Sequence, residues 1–400
     1  MNHEEFSPGG VRSESVRVAN PQRPRIPLRR KIVFALLPVL ALVVLLETAA
    51  RCIPGTNERF GQMNEIVVFL GTGSDSPLIE PDPELFWVLR PDLEVDERSS
   101  LLWRGRLTNS DGLRNARSIN DSAEHQTRIV CLGDSTTFGL GSLLPEAWPS
   151  LLKQQLNSSR KSVDFEVINA GVPGYTSHQG RIQLQRHADD WSPDLVIATF
   201  GTNDCWQWNN RTDQQHTRHF EAEHSSFGGR LRCVVRLADW IRSRRNPEPR
   251  SEWADETVRG FFRTSEPSWI PRVTIPEFVA NLRAMHDICK RQQADFLLII
   301  WPDRNLLQGM PSPRRPYVQA LRDLSRTDRI PVCDLLALFE RHCPSSLELF
   351  VKNDIVHVRP QGNRLACGLL TPAVAQLLSG RANPNRSRQD PMQVPIGLIP

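Results

Sequence analysis

The chain has 400 residues, 39% of them hydrophobic, which suits one large domain with appendages or two domains with a sizeable core. A formal net charge of +4 is too near balance for a nucleic-acid partner held by phosphate contacts. None of the eight cysteines forms a C-x-x-C pair, which argues against a zinc knuckle or a dithiol redox motif.

Positive charge crowds the start, at Arg12, Arg17, Arg23, Arg25, Arg29, Arg30 and Lys31. Residues 1–31, with scattered prolines, read as a disordered basic segment. An uncharged run follows, "IVFALLPVLALVVLL", continuing through "ETAA" to Ala50. Three readings stand. A signal peptide has an apolar core of this length followed by small residues, but its polar leader is shorter than this one. A buried core helix would not be so uniformly apolar. A membrane anchor over 32–50 fits the roughly 20 residues needed to span, and tolerates Pro38. The anchor is preferred, single-pass, with the basic flank cytoplasmic and the bulk of the chain outside. In that compartment some cysteines can pair, although a buried cysteine more often packs as a small apolar residue.

Residues 51–125 are Pro-rich and irregular and read as a stalk and a small β-rich lead-in. From Thr127 the pattern sharpens. "TRIVCLG", "VDFEVINAG", "PDLVIATFG", "ADFLLIIWP" and "RIPVCDL" read as strands, several of them continuously apolar. "EAWPSLLKQQL", "SHQGRIQLQRHADDW", "IPEFVANLRAMHDICKRQQ" and "PQGNRLACGLLTPAVAQLL" carry helical spacing. Strands alternating with helices imply an α/β domain over 126–380, with a parallel sheet covered on both faces. An insertion at 205–268 breaks the rhythm. It holds Trp206, Trp208, several histidines and one expected helix, "GRLRCVVRLADWIRS". Residues 381–400 read as a disordered tail.

Ligands of an open α/β sheet bind beyond the carboxyl ends of its strands. The first strand ends in Gly133-Asp134-Ser135, the second in Asn169-Ala170-Gly171-Val172-Pro173-Gly174, the third in Gly201-Thr202-Asn203-Asp204. Asp354 and His357 stand three apart near the C-terminus. Taken alone, Ser135 is as suited to capping a helix as to attacking a carbonyl. No G-x-S-x-G elbow and no P-loop spacing is present.

Four blocks in this order, "GDS" at 133–135, "NAGVPGYTS" at 169–177, "GTND" at 201–204 and "DIVH" at 354–357, resemble the SGNH hydrolases, or GDSL esterase/lipase superfamily. The resemblance runs from Thr127 to Leu378, interrupted by the insertion. It implies a flavodoxin-like three-layer α/β/α sandwich and a serine hydrolase acting on ester bonds. It further implies Ser135 as nucleophile, His357 as general base and Asp354 as its orienter. The backbone N–H groups of Ser135 and Gly174 and the side-chain amide of Asn203 would form the oxyanion hole, with Gly171 the competing glycine. Asp134 and Asp204 would brace their loops. No metal or cofactor is called for, and acylated carbohydrate, lipid and small aryl ester all fit as substrates. An O-acyltransferase acting on envelope polysaccharide and a catalytically silent binding domain are the alternatives. His178 reads as a helix-start histidine. His216, His219 and His224 read as solvated loop rather than a metal site, and Trp206 and Trp208 as pocket lining or as anchors of the insertion.

Overall fold

In a computed structural model of the chain, residues 27–52, 78–95, 105–121, 126–159, 163–207, 211–218, 270–343 and 346–381 are described. Helix α1 (Leu28–Cys52) carries the uncharged run. Within its Leu28–Ala50 stretch of 23 residues an 18-residue window reaches mean hydropathy 2.6, and that window is not buried against the protein. At about 1.5 Å per residue that length reaches roughly 35 Å, enough for a bilayer core of about 30 Å.

Two antiparallel ribbons follow. One pairs β1 (Ile79–Asp82) with β2 (Phe86–Leu89), the other β3 (Glu94–Val95) with β4 (Gly105–Arg106). The sequence sets residues 51–125 apart as stalk and lead-in. The structure packs Leu85, Trp87, Leu89, Leu107 and Leu113 into the core they share with the main sheet. These five side chains are thus part of the domain's own interior.

The main sheet has five parallel strands: β5 (Thr127–Gly133), β6 (Phe165–Gly171), β7 (Leu195–Thr199), β8 (Asp295–Ile300) and β9 (Val332–Asp334). Their order is β6-β5-β7-β8-β9. The helices, in chain order, are α2 (Ser135–Phe138), α3 (Trp148–Ser159), α4 (Ser177–Trp191), α5 (Ile275–Arg291), α6 (Arg304–Leu307), α7 (Arg315–Thr327), α8 (Leu335–His342) and α9 (Pro360–Arg381). The strand interiors are mostly apolar because both faces are covered. Along β5, Val130 and Leu132 join the core under α4, α5 and α7, while Ile129 and Cys131 join the core under α3, α8 and α9. This is the expected three-layer sandwich. The chain leaves β5 for β6 on one side and then crosses to β7 on the other, so the carboxyl end of β5 is a topological switch point, where such sheets bind ligands.

Of these helices, α6, α7 and α8 escape the sequence reading. Helix α7 buries Tyr317, Val318, Leu321 and Leu324 on one face, and α8 starts directly from β9 with Asp334 as its cap. The helix expected within the insertion, Trp208 and the tail beyond Arg381 lie outside the described residues.

Candidate active site

The turn after β5 is shaped by close approach. A Cβ on Gly133 would stand 2.1 Å from Thr137 Oγ1 and 2.8 Å from the Thr199 carbonyl oxygen, and one on Gly171 would stand 2.4 Å from the Phe138 nitrogen. Glycine at both positions lets α2 lie against the strand ends. Asp134 caps α2: its Oδ1 accepts the Thr136 N–H at 2.8 Å and the Thr136 hydroxyl at 2.7 Å. Capping, the bland role open to Ser135, is therefore filled by its neighbour. Burial raises the Asp134 pKa, although its bonds to Thr136 pull the other way.

The Ser135 hydroxyl is 2.7 Å from His357 Nε2, and His357 Nδ1 is 2.7 Å from Asp354 Oδ2. Ser135 and His357 stand 222 positions apart in the chain and meet because the loop before α9 returns to the end of β5. Asp354 Oδ1 accepts the N–H groups of Val356 and His357, each at 2.9 Å, which folds the loop tightly around the carboxylate. The Trp301 indole donates to the Val356 carbonyl at 2.9 Å and fixes the same loop from β8. With a carboxylate at Nδ1, the neutral imidazole carries its proton there and leaves Nε2 free to accept from the serine hydroxyl. Burial lowers the His357 pKa, but the charge and hydrogen bond of Asp354, with Asp134 behind, outweigh it and raise the pKa above 6.5. Burial likewise raises Asp354, and His357 with the loop N–H groups brings it below 3.8.

The second strand-end loop presents Gly174 at φ +82°, a left-handed conformation suited to glycine. Gly171, the competing glycine, already donates its N–H to Asn169 Oδ1 at 3.0 Å. Among the described residues no acceptor meets the N–H of Ser135 or of Gly174. Asn203 is buried and donates one amide proton to the Tyr175 carbonyl at 2.9 Å, leaving the other. Asp204 accepts from the N–H groups of Ser177 and Gly201, both at 2.9 Å, and so joins the third loop to α4. Burial pushes its pKa up to about 6.

Other polar candidates sit elsewhere. His178 bonds Thr217 Oγ1 at 2.9 Å, and burial pushes its pKa down to about 4. His216 lies edge-on to Phe86, and His219 and His224 are outside the described residues. Trp206 is half-buried against the core. Cys131, Cys289, Cys333, Cys343 and Cys367 are in no disulfide, and the Cys205 thiol donates to the Thr202 carbonyl at 3.0 Å. An open pocket of about 70 Å³ between the first turns of α4 and α5 and residue 214 is lined by His178, Gln214, Val273, Glu277, Ala280 and Asn281. It includes no member of the Ser135–His357–Asp354 line.

Sequence reasoning misses one cluster. Arg272 is buried and gives Nη1 to the Gly174 carbonyl at 2.7 Å. Its Nε and Nη2 reach the buried Asp213 at 3.1 and 3.0 Å. Trp87, fully buried, donates its indole N–H to the Pro173 carbonyl at 3.2 Å. No local motif signals these contacts.

A family model described as the GDSL-like lipase/acylhydrolase family matches residues 131–365. An arylesterase of Vibrio mimicus is 31% identical over 86 residues, 22% of this chain and 42% of that protein. Esterase TesA of Pseudomonas aeruginosa is 33% identical over 86 residues, 22% of this chain and 41% of that protein. The chain thus spans about two fifths of these curated relatives. Among solved structures, the lipase/acylhydrolase from Enterococcus faecalis aligns with TM-score 0.41 and 18% identity, over 66% of this chain and all of that one (100%).

Proposed function

The chain belongs to the GDSL-like lipase/acylhydrolase family, matched over residues 131–365, and on that premise we propose that it hydrolyses ester bonds through an acyl-serine intermediate. The observation that carries the proposal is the continuous line of 2.7 Å contacts from Ser135 Oγ through His357 to Asp354. In this reading Ser135 Oγ attacks the ester carbonyl carbon as its proton passes to Nε2. The resulting imidazolium sits against the Asp354 carboxylate. Collapse of the tetrahedral adduct breaks the bond to the alcohol, which leaves with the proton from Nε2. Water then attacks the acyl carbon as it gives a proton to the same nitrogen; collapse of that adduct breaks the acyl–Oγ bond, releases the acid and returns the proton to Ser135 Oγ. The N–H groups of Ser135 and Gly174 and the free amide proton of Asn203 serve the developing oxyanion, where one such donor contributes about 3 kcal/mol.

Replacement of Ser135 by Ala tests the assignment. Labelling of the full chain by a fluorophosphonate probe is expected to vanish, and labelling that persists overturns it. The substrate class is an ester of carbohydrate, lipid or small aryl alcohol. A panel of acyl chain lengths and acetylated sugars, run with and without sugar acceptors, ranks these and separates hydrolysis from acyl transfer.

For location, Arg29, Arg30 and Lys31 stand at the start of α1. We propose that α1 crosses the membrane with this end cytoplasmic and the catalytic domain outside. Release of the full chain from membranes by alkaline carbonate, without detergent, would contradict an anchor.

A further inference from the structure

We propose that Trp87 and Arg272 are positioning residues that aim the N–H of Gly174 at the oxyanion. The inference rests on the serine-esterase reading above and adds to it two residues from outside the four sequence blocks.

A peptide group is planar, and in its trans form the C=O of one residue points opposite to the N–H of the next. The Pro173 carbonyl and the Gly174 N–H belong to one such plane. Trp87 Nε1 donates to that carbonyl at 3.2 Å, so the indole sets the direction in which the Gly174 N–H points. Arg272 Nη1 donates to the Gly174 carbonyl at 2.7 Å and fixes the next peptide plane. With both carbonyls held, Gly174 has little freedom to leave φ +82°. Glycine takes this φ without strain, so the two clamps fix its direction rather than hold it against a cost.

The two clamps are themselves held. The Trp87 carbonyl accepts the Tyr175 hydroxyl at 2.6 Å, and the two rings meet edge to face with centroids 5.6 Å apart. The Arg272 guanidinium carbon stands 5.7 Å from the Trp87 ring centroid. Asp213 Oδ2 also accepts the Thr176 hydroxyl at 2.7 Å, and Arg272 Nη2 also reaches Gln179 Oε1 at 2.9 Å. Arg272 and Asp213 form a salt bridge whose side chains are 2% and 0% exposed. A buried ion pair is weak evidence for stability, since a well-packed apolar pair often does as well. A pair whose arginine holds the Gly174 carbonyl is instead suited to fixing geometry. Asp213 stands near the start of the long insertion and Arg272 just beyond its end. The insertion is thereby tied to the oxyanion loop at both ends, and the β1–β2 ribbon supplies the opposing clamp.

The test uses the full chain with p-nitrophenyl acetate and the rate of inactivation by a fluorophosphonate. Trp87→Phe keeps a ring but removes the indole donor. It is expected to lower kcat and the inactivation rate by about 10- to 100-fold, the scale of a misplaced catalytic group. KM should change by less than about threefold and the acidic limb of the pH profile should stay in place, because His357 is untouched. Leu156→Ala, in the core on the opposite face of the sheet, serves as a control for lost stability: it should lower Tm and leave kcat unchanged. Arg272→Lys, which retains a charged donor, should keep more kcat than Arg272→Met at equal folded fraction. Wild-type kcat in Trp87→Phe, or Arg272→Met equal to Arg272→Lys, overturns the inference while wild-type labelling leaves the esterase reading intact. A wild-type chain that neither labels nor turns over removes both.

Discussion

Replacing Asp354 by Asn interrogates the line of contacts at its least exposed assumption, the tautomer of His357. Asp354 Oδ1 accepts two loop N–H groups at 2.9 Å while Oδ2 faces His357 Nδ1 at 2.7 Å. An asparagine has one oxygen, and two backbone donors draw it to the Oδ1 position. Its NH2 then faces Nδ1, donor to donor, unless the imidazole proton moves to Nε2. A proton at Nε2 removes the acceptor that Ser135 needs. Loss of the orienting carboxylate in a Ser-His-Asp line lowers kcat by about 10⁴, or roughly 5 kcal/mol of barrier at 1.36 kcal/mol per tenfold. The pH profile should move as well. The His357 pKa stands above 6.5: burial lowers it, and Asp354 first and Asp134 second raise it more. The base acts when neutral, so wild-type kcat/KM falls as pH drops through that raised pKa. Without the charge at 354 burial prevails, and the limb moves to lower pH. The native carboxylate also has a pKa below its ordinary 3.8, so its contribution to stability is present above that value and is lost as pH falls through the lower folded one. Steady-state hydrolysis of p-nitrophenyl acetate across pH measures kcat and the limb together. A loss under tenfold, or a limb that stays put, refutes the reasoning.

Asn203→Ala should lower kcat by about 10²–10³ through loss of an oxyanion donor. It should also cost about 1 kcal/mol of stability, because the buried bond to the Tyr175 carbonyl goes with it; unaltered kcat with lowered Tm would leave Asn203 as a loop brace alone. Gly133→Ala places a Cβ 2.8 Å from the backbone oxygen of Thr199, while Gly368→Ala on α9 meets nothing within 4 Å. Overpacking of the first kind costs about 1–3 kcal/mol, which in a domain of this size lowers Tm by roughly 2–12 °C. The Gly368 variant should hold its Tm or gain slightly from helix propensity, and equal melting of the two would contradict the close-approach account.

What the sequence makes legible follows from where the determinants lie. The strands β5, β7 and β8 are short apolar runs bounded by polar or Gly residues, and burial on both faces leaves no competing pattern. The loops at their ends carry polar residues for which an apolar strand has no use. Helix α7 is hidden because Pro311, Pro313 and Pro316 read as breakers, although Pro316 stands in the first turn, where its missing N–H is harmless. The membership of residues 78–121 in the core is hidden for a different reason. Trp87 meets its partner 86 residues away, and no local periodicity reports a contact of that range. Arg272 stands in no motif and in none of the periodic segments of the sequence. Only the fold brings it under Gly174.

The division of labour between neighbours explains why acids recur beside the reacting groups. A strand-to-helix turn gathers N–H groups with no partner in the chain's regular structure. A carboxylate accepts through both oxygens and donates nothing, so it collects these groups. Asp134 does so beside Ser135, and Asp204 beside Asn203. Neither acid is suited to the proposed chemistry. A carboxylate in the oxyanion position repels the charge that develops there, and at position 135 it offers no hydroxyl to deprotonate. The adjacent residue holds the complementary group, a hydroxyl in one loop and an amide in the other. Asp354 combines both tasks, holding two loop N–H groups with Oδ1 and the imidazole with Oδ2. The loop that it closes therefore holds His357 in register with its own carboxylate through contacts that do not involve Ser135. Removing its charge disturbs the loop and the tautomer at once, whereas changing Asp204 disturbs its loop alone and changing Asp134 disturbs the cap of α2 and takes away a minor charge that helps to raise the His357 pKa.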